Sequence, residues 1–171
     1  MRFIEIPTKN DSRTHLIFNA YCNAFPADER RDATQFQQLF EEEKAKIIAI
    51  EYETNMVGYL IIWELNHCCF LEHFEIFPSF RSQKLGSQVL DLLKQRYHKI
   101  VLESEPAHLD EIAKKRIAFY ERNGFSVLNA EYIQPAYDPS KNAINLWLMG
   151  NFSAENIEII VEDIYKTVYR I

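Results

Sequence analysis

The spacing of apolar and polar positions changes several times along the chain, and each change marks an element. Residues 3–6 read as a short strand closed by Pro7. Ser12 stands where an N-cap belongs for a helix to about residue 23, which Pro26 then interrupts. A second helical stretch, 27–43, carries Phe36, Leu39 and Phe40 on one side. Residues 47–53 and 57–65 are strand-like and flank Thr54 and Asn55, a turn pair, which predicts a hairpin. A third strand spans 69–77 and ends at Pro78.

Past a polar loop, Leu85, Val89, Leu92, Leu93 and Tyr97 recur at helical spacing. Residues 99–103 suit a buried strand, and 108–123 a helix that Gly124 caps. Strands at 125–133 and 144–149 are separated by a loop over 135–142. Ser153 caps a last helix to about residue 169, with Ile157, Ile160, Val161, Ile164 and Val168 as its apolar stripe. The order β-α-α-β-β-β-α-β-α-β-β-α joins antiparallel hairpin strands to a central strand–helix–strand unit. It predicts an α+β fold around a mixed sheet.

Composition narrows the reading. A chain of 171 residues with 47% hydrophobic side chains builds one domain, 1–171, with a sizeable core. A net charge of −6, without a block of Lys and Arg, argues against nucleic acid as partner. Cys22, Cys68 and Cys69 form neither a disulfide framework nor a metal-ligand spacing. Reduced thiols, no signal-like start and no apolar run of about 20 residues predict a cytoplasmic protein that does not enter a membrane.

The segment from Phe70 to Ser87 carries the first candidate chemistry. It reads as a strand, a basic and polar loop, and a helix with Gly86 in its first turn. The first N–H groups of a helix lack intrahelical partners and sit at the positive end of its dipole, a place that suits a pyrophosphate. A glycine there permits close approach, and Arg81 and Lys84 add positive charge. By itself the pattern also fits an ordinary connection with exposed basic residues. A second segment, Phe119-Tyr120-Glu121-Arg122-Asn123-Gly124-Phe125, ends a helix and enters a strand.

With both segments in this order, the chain resembles the GNAT acyltransferases over about residues 1–150. In that family the first loop follows the pattern Gln or Arg, two residues, Gly, one residue, then Gly or Ala. Here it is Arg81-Ser82-Gln83-Lys84-Leu85-Gly86, with Lys84 in the first Gly position. The resemblance implies a mostly antiparallel central sheet with a V-shaped splay between its two middle strands. It implies acetyl-CoA as co-substrate, with no metal, and transfer of an acetyl group to the amine of a small-molecule or peptide acceptor. Ser82, Gln83, Lys84, Leu85, Gly86 and Ser87, with Arg81, would line the pyrophosphate. Backbone groups of Phe74, Glu75 and Ile76 would bind pantetheine as an added strand does.

For catalysis the resemblance implies Tyr120 as the acid that protonates the leaving thiolate. An amine of pKa about 10.4 must lose a proton at a cost of roughly 4–5 kcal/mol at neutral pH, so a base or a relayed water is needed. Glu72 is one candidate: alternation puts Phe70, Glu72, Phe74 and Ile76 on one face, where apolar neighbours would raise its pKa. Glu103 and Glu105 are rivals. His73 faces away from Glu72 in this reading. The acceptor pocket falls to residues 24–31 and 132–137. The helix from residue 153 extends past the family's last strand and either covers the sheet or packs against a second subunit in a homodimer. Two other readings remain open, an acyl-CoA sensor without catalysis and an interaction domain without a CoA site.

Overall fold

A computed structural model describes all of residues 1–171. Strands β1 (Arg2–Glu5), β2 (Ala45–Tyr52), β3 (Asn55–Glu64), β4 (Cys69–Ile76), β5 (Ile100–Ser104), β6 (Ser126–Asn129) and β9 (Trp147–Gly150) form one sheet. Its order is β1-β2-β3-β4-β5-β9-β6, and β7 (Ile133–Gln134) pairs with β8 (Ile144–Asn145) in a separate ribbon. Every neighbouring pair is antiparallel except β4 and β5.

Two cores lie on opposite faces. One gathers Ile17 and Tyr21 of α1 (Thr14–Ala24), Phe36 of α2 (Ala33–Gln38), and Ile160, Ile164 and Val168 from α5 (Ile157–Ile164) and the π-helical turn after it. The other gathers Leu85, Val89, Leu90 and Leu93 of α3 (Leu85–Arg96) with Ile117 and Tyr120 of α4 (Glu111–Arg122). The strands supply alternate residues to each: Ile47 and Ala49 to the first, Ile48 and Ile50 to the second. The apolar stripe of the last helix therefore covers this chain's own sheet.

Several boundaries differ from the pattern-based expectation. The stretch 27–43 is not one helix. Asp32 forms a capping box with Gln35 and starts α2 at Ala33, with single 3-10 turns at Ala27–Glu29 and Leu39–Glu41 on either side. The expected strand 125–133 ends at Asn129, whose Oδ1 accepts from Glu131 N in a turn, and resumes as β7. The strand expected over 144–149 divides into β8 and β9. The last helix starts at Ile157, not after Ser153.

Two features of β4 position the site. β4 and β5 pair only through Cys69, Phe70 and Leu71 with Ile100, Val101 and Leu102, and then diverge. Beyond Leu71 the edge of β4 that faced β5 is open, as the V-shaped splay requires. On its other side, Ile61 and Ile62 of β3 pair with His73 and Leu71, so Glu72 is the extra residue of a β-bulge.

Candidate active site

The bulge corrects the expected faces of β4. Phe70 belongs to the core under α1 and α5, while Phe74 and Ile76 pack with the core under α3 and α4. They do not share a face, because the unpaired Glu72 shifts the alternation by one residue. It also turns Glu72 and His73 to the same side, with His73 Nδ1 4.0 Å from Glu72 Oε2. Sequence periodicity alone carries no signal for a bulge.

Glu72 is fully enclosed, and every hydrogen bond it accepts is structural. Its Oε1 accepts from Arg31 Nη2 at 2.9 Å and Tyr137 Oη at 2.8 Å, and Oε2 accepts from Trp63 Nε1 at 2.7 Å. Burial acts to raise its pKa, but the Arg31 guanidinium and the Trp63 and Tyr137 donors together outweigh burial and lower it. The expected raised value is thus overturned: apolar neighbours on the strand count for less than a guanidinium reaching in from residue 31. Arg31 also donates to Val168 O, and so ties β4 to the end of the last helix.

His73 is buried against the ring edges of Tyr21 and Phe25. Its Nε2 lies 2.9 Å from Glu29 O. A carbonyl oxygen only accepts, so Nε2 carries the proton and Nδ1 is bare. Burial lowers the pKa of the ring and keeps it neutral.

The splay opens into a cleft of about 970 Å³. Leu71 to Ile76 form one wall and Glu103 to Glu105 the other. One end is closed by the loop and first turn of α3 with Phe119 and Tyr120. The other end is bounded by Phe25, Glu29, Gln134 and Leu146. Of the acceptor residues expected from sequence, Ala24, Phe25, Glu29 and Gln134 line it, whereas Arg31 and Tyr137 lie behind its wall with Glu72. Gln134 was legible only as one position within the candidate stretch 132–137.

At the α3 end, Ser82 has φ 64° and Lys84, the N-cap, has φ 60°. Both are left-handed, a conformation that costs a residue with a Cβ roughly 1–2 kcal/mol. The position that takes Gly in the family's pattern is therefore one that does need positive φ, and Lys84 adopts it under strain. No side chain caps α3, so the N–H groups of its first turn point toward the cleft without a capping partner. Such a turn followed by a helix N-terminus forms an anion-binding concavity. Gly86 has a different reason from the one its position suggests. A Cβ there would lie 3.1 Å from Phe119 Cζ, so glycine lets α3 and α4 approach each other. Arg81 folds back on β4, donating through Nε to Ile76 O at 2.9 Å and through Nη2 to Glu75 Oε1 at 3.2 Å.

Tyr120 lies in the wall of the cleft next to Phe119, and burial pushes its pKa up to about 12. Gly124, at φ 85°, ends α4 in the left-handed conformation expected of it. Glu103, at the tip of β5, has its pKa raised by burial to about 8. Its Oε1 accepts from Tyr132 Oη at 2.5 Å, and Tyr169 Oη lies 2.9 Å from Oε2. Both phenols favour the ionised form without cancelling burial. Glu105 is paired with Arg116 at 2.5 Å. The last helix thus reaches the site, a role its apolar stripe alone does not reveal.

The model of the acetyltransferase (GNAT) family matches residues 14–125. A protein of Bacteroides thetaiotaomicron assigned to that family superposes with a TM-score of 0.92 at 25% identity, over 100% of this chain and 99% of that one. A GNAT family acetyltransferase of Elizabethkingia anophelis, solved with acetyl-CoA bound, gives a TM-score of 0.58 at 12% identity over 87% and 95% of the two chains. The ribosomal-protein-S18-alanine N-acetyltransferase of Escherichia coli gives 0.59 at 18% identity over 91% and 97%. No curated protein matches this chain in sequence.

Proposed function

The chain belongs to the GNAT family of acetyltransferases, and from that premise we propose that it moves an acetyl group from acetyl-CoA to an amine by direct transfer. The observation that carries the reading is the single cleft that joins an uncapped helix N-terminus, an open strand edge and two titratable groups with raised pKa values. The residues present fit acetyl-CoA. The left-handed turn at Ser82 and Lys84 with the first turn of α3 suits its pyrophosphate, and the β4 edge at Phe74, Glu75 and Ile76, where Arg81 holds only the Ile76 carbonyl, suits the two amides of pantetheine. The E. anophelis structure holds acetyl-CoA in the same fold, which supports the assignment.

Glu103 takes the role of base in place of Glu72, which is fully enclosed and whose pKa the Arg31 guanidinium helps to lower. Its carboxylate accepts one proton from the incoming ammonium, and the freed nitrogen attacks the thioester carbonyl carbon. When the tetrahedral adduct collapses, the carbon–sulfur bond breaks and Tyr120 gives its proton to the sulfur. The second proton of the amine replaces the one Tyr120 has given. Burial keeps Tyr120 protonated at neutral pH, ready for that step.

The test is release of CoA thiol on mixing the protein with acetyl-CoA and an amine. Tyr120→Phe should lower kcat about 10²-fold or more while leaving acetyl-CoA affinity in place. Tight acetyl-CoA binding with no turnover of any amine would favour a sensor instead.

A further inference from the structure

The acceptor end of the cleft holds more carboxyl groups than the transfer step uses. Glu29, Glu103 and Glu105 converge on it from the turn after α1 and from the tip of β5. Glu103 is held by two phenols and assigned to the proton, and Glu105 is neutralised by Arg116. Glu29 is different. Its backbone carbonyl is engaged by His73, but its carboxylate has no ion-pair partner and opens on the cleft. Burial and repulsion from Glu105 raise its pKa against the opposing pull of Arg116, whose guanidinium is bound to Glu105. Ser104 supplies an independent sign of an absent ligand. It lines the same cleft, is 3% exposed, and its hydroxyl has no hydrogen-bond partner. The ring of Phe25, fixed edge-on against His73, provides an apolar wall beside these groups.

We propose that the acceptor is a diamine, with one ammonium acetylated beside Glu103 and the other held by the Glu29 carboxylate and Ser104 Oγ, its methylene chain lying on Phe25. The inference rests on the acetyl-transfer reading above and adds the acceptor class. A second ammonium gives Glu29 the partner it lacks and satisfies Ser104. A neutral alkyl tail leaves both uncompensated. A tail ending in a carboxylate meets Glu29 with like charge, so discrimination comes from repulsion as well as attraction.

The experiment compares putrescine, butylamine and γ-aminobutyrate as acceptors, with acetyl-CoA binding measured separately by calorimetry. Putrescine is expected to exceed butylamine in kcat/KM by about tenfold or more, one well-placed ion pair, with γ-aminobutyrate lowest. In Glu29→Gln the ratio of putrescine to butylamine should fall to near one, and Glu29→Asp should recover part of it. Unchanged acetyl-CoA affinity in both variants shows that they are folded. Equal or better use of butylamine or γ-aminobutyrate, or a ratio in Glu29→Gln equal to that of wild type, would overturn the proposal. Acetyl-CoA binding without acetylation of any of the three amines overturns the acceptor class alone. Absence of acetyl-CoA binding brings down the donor reading, and the acceptor class with it.

Discussion

The hydroxyl of Tyr169 lies 2.9 Å from Oε2 of Glu103, so the segment that follows the last strand supplies a hydrogen bond to the carboxyl at the tip of β5. Tyr132 holds the other oxygen, Oε1. These two phenols fix the carboxyl where the splayed strands open, and they set its acidity against the opposing pull of burial. The C-terminal segment thereby holds the proposed base as well as contributing to the core.

The proposed base, with a pKa of about 8, implies a pH profile. The kcat/KM of the wild type, which reports the free enzyme, should rise with pH through an inflection near 8. Tyr169→Phe removes a hydrogen bond that favours the carboxylate, so its inflection should move upward. Glu103→Gln should lose the inflection along with most of the activity. The same group shapes stability. Unfolded, Glu103 releases its proton near 4.5, whereas folded it keeps it to about 8, so folding takes up a proton between these values. Stability should therefore fall as pH rises through that window, and urea unfolding of Glu103→Gln should show a shallower slope.

Lys84 occupies a left-handed N-cap at φ 60°. Lys84→Gly removes the Cβ penalty and gives back part of the gain through a more flexible unfolded chain. The net expectation is a stabilisation of about 0.5–1 kcal/mol, read as a higher urea midpoint with an unchanged slope. A lower midpoint would mean that the lysine side chain contributes more than its backbone costs.

The pair Arg31 and Glu72, at 2.9 Å with Glu72 fully enclosed, predicts a non-additive pair of substitutions. Glu72→Gln leaves a guanidinium buried without its counter-charge and should cost about 3–5 kcal/mol. The double variant Arg31→Gln with Glu72→Gln carries no buried charge, and should be destabilised less than the sum of the single variants. Additive losses in urea unfolding would show that the two side chains act independently.

Much of the frame was legible because its signals are local. Pro7, Pro26 and Pro78 punctuate elements, Gly124 caps a helix at positive φ, and the stripe of Leu85, Val89 and Leu93 faces inward as its spacing requires. What stayed hidden depends on partners distant in sequence. The bulge at Glu72 is defined by its pairing with β3, and the state of Glu72 by Arg31, forty-one residues away. Gly86 invited a reading through a ligand, yet its closest neighbour is Phe119 on another helix. Glu29 gave no signal above other acidic residues in its loop. That no cation pairs with it directly is a property of the folded cleft, where Arg116 is taken by Glu105.

The most direct test is calorimetric titration of acetyl-CoA into the wild type and into Ser87→Glu. Ser87 lies in the first turn of α3, where an acidic side chain favours the helix itself but repels a pyrophosphate. The account predicts micromolar binding by the wild type and at least about tenfold weaker binding by a normally folded Ser87→Glu protein. No binding by the wild type, or equal affinity in the two proteins, would contradict it.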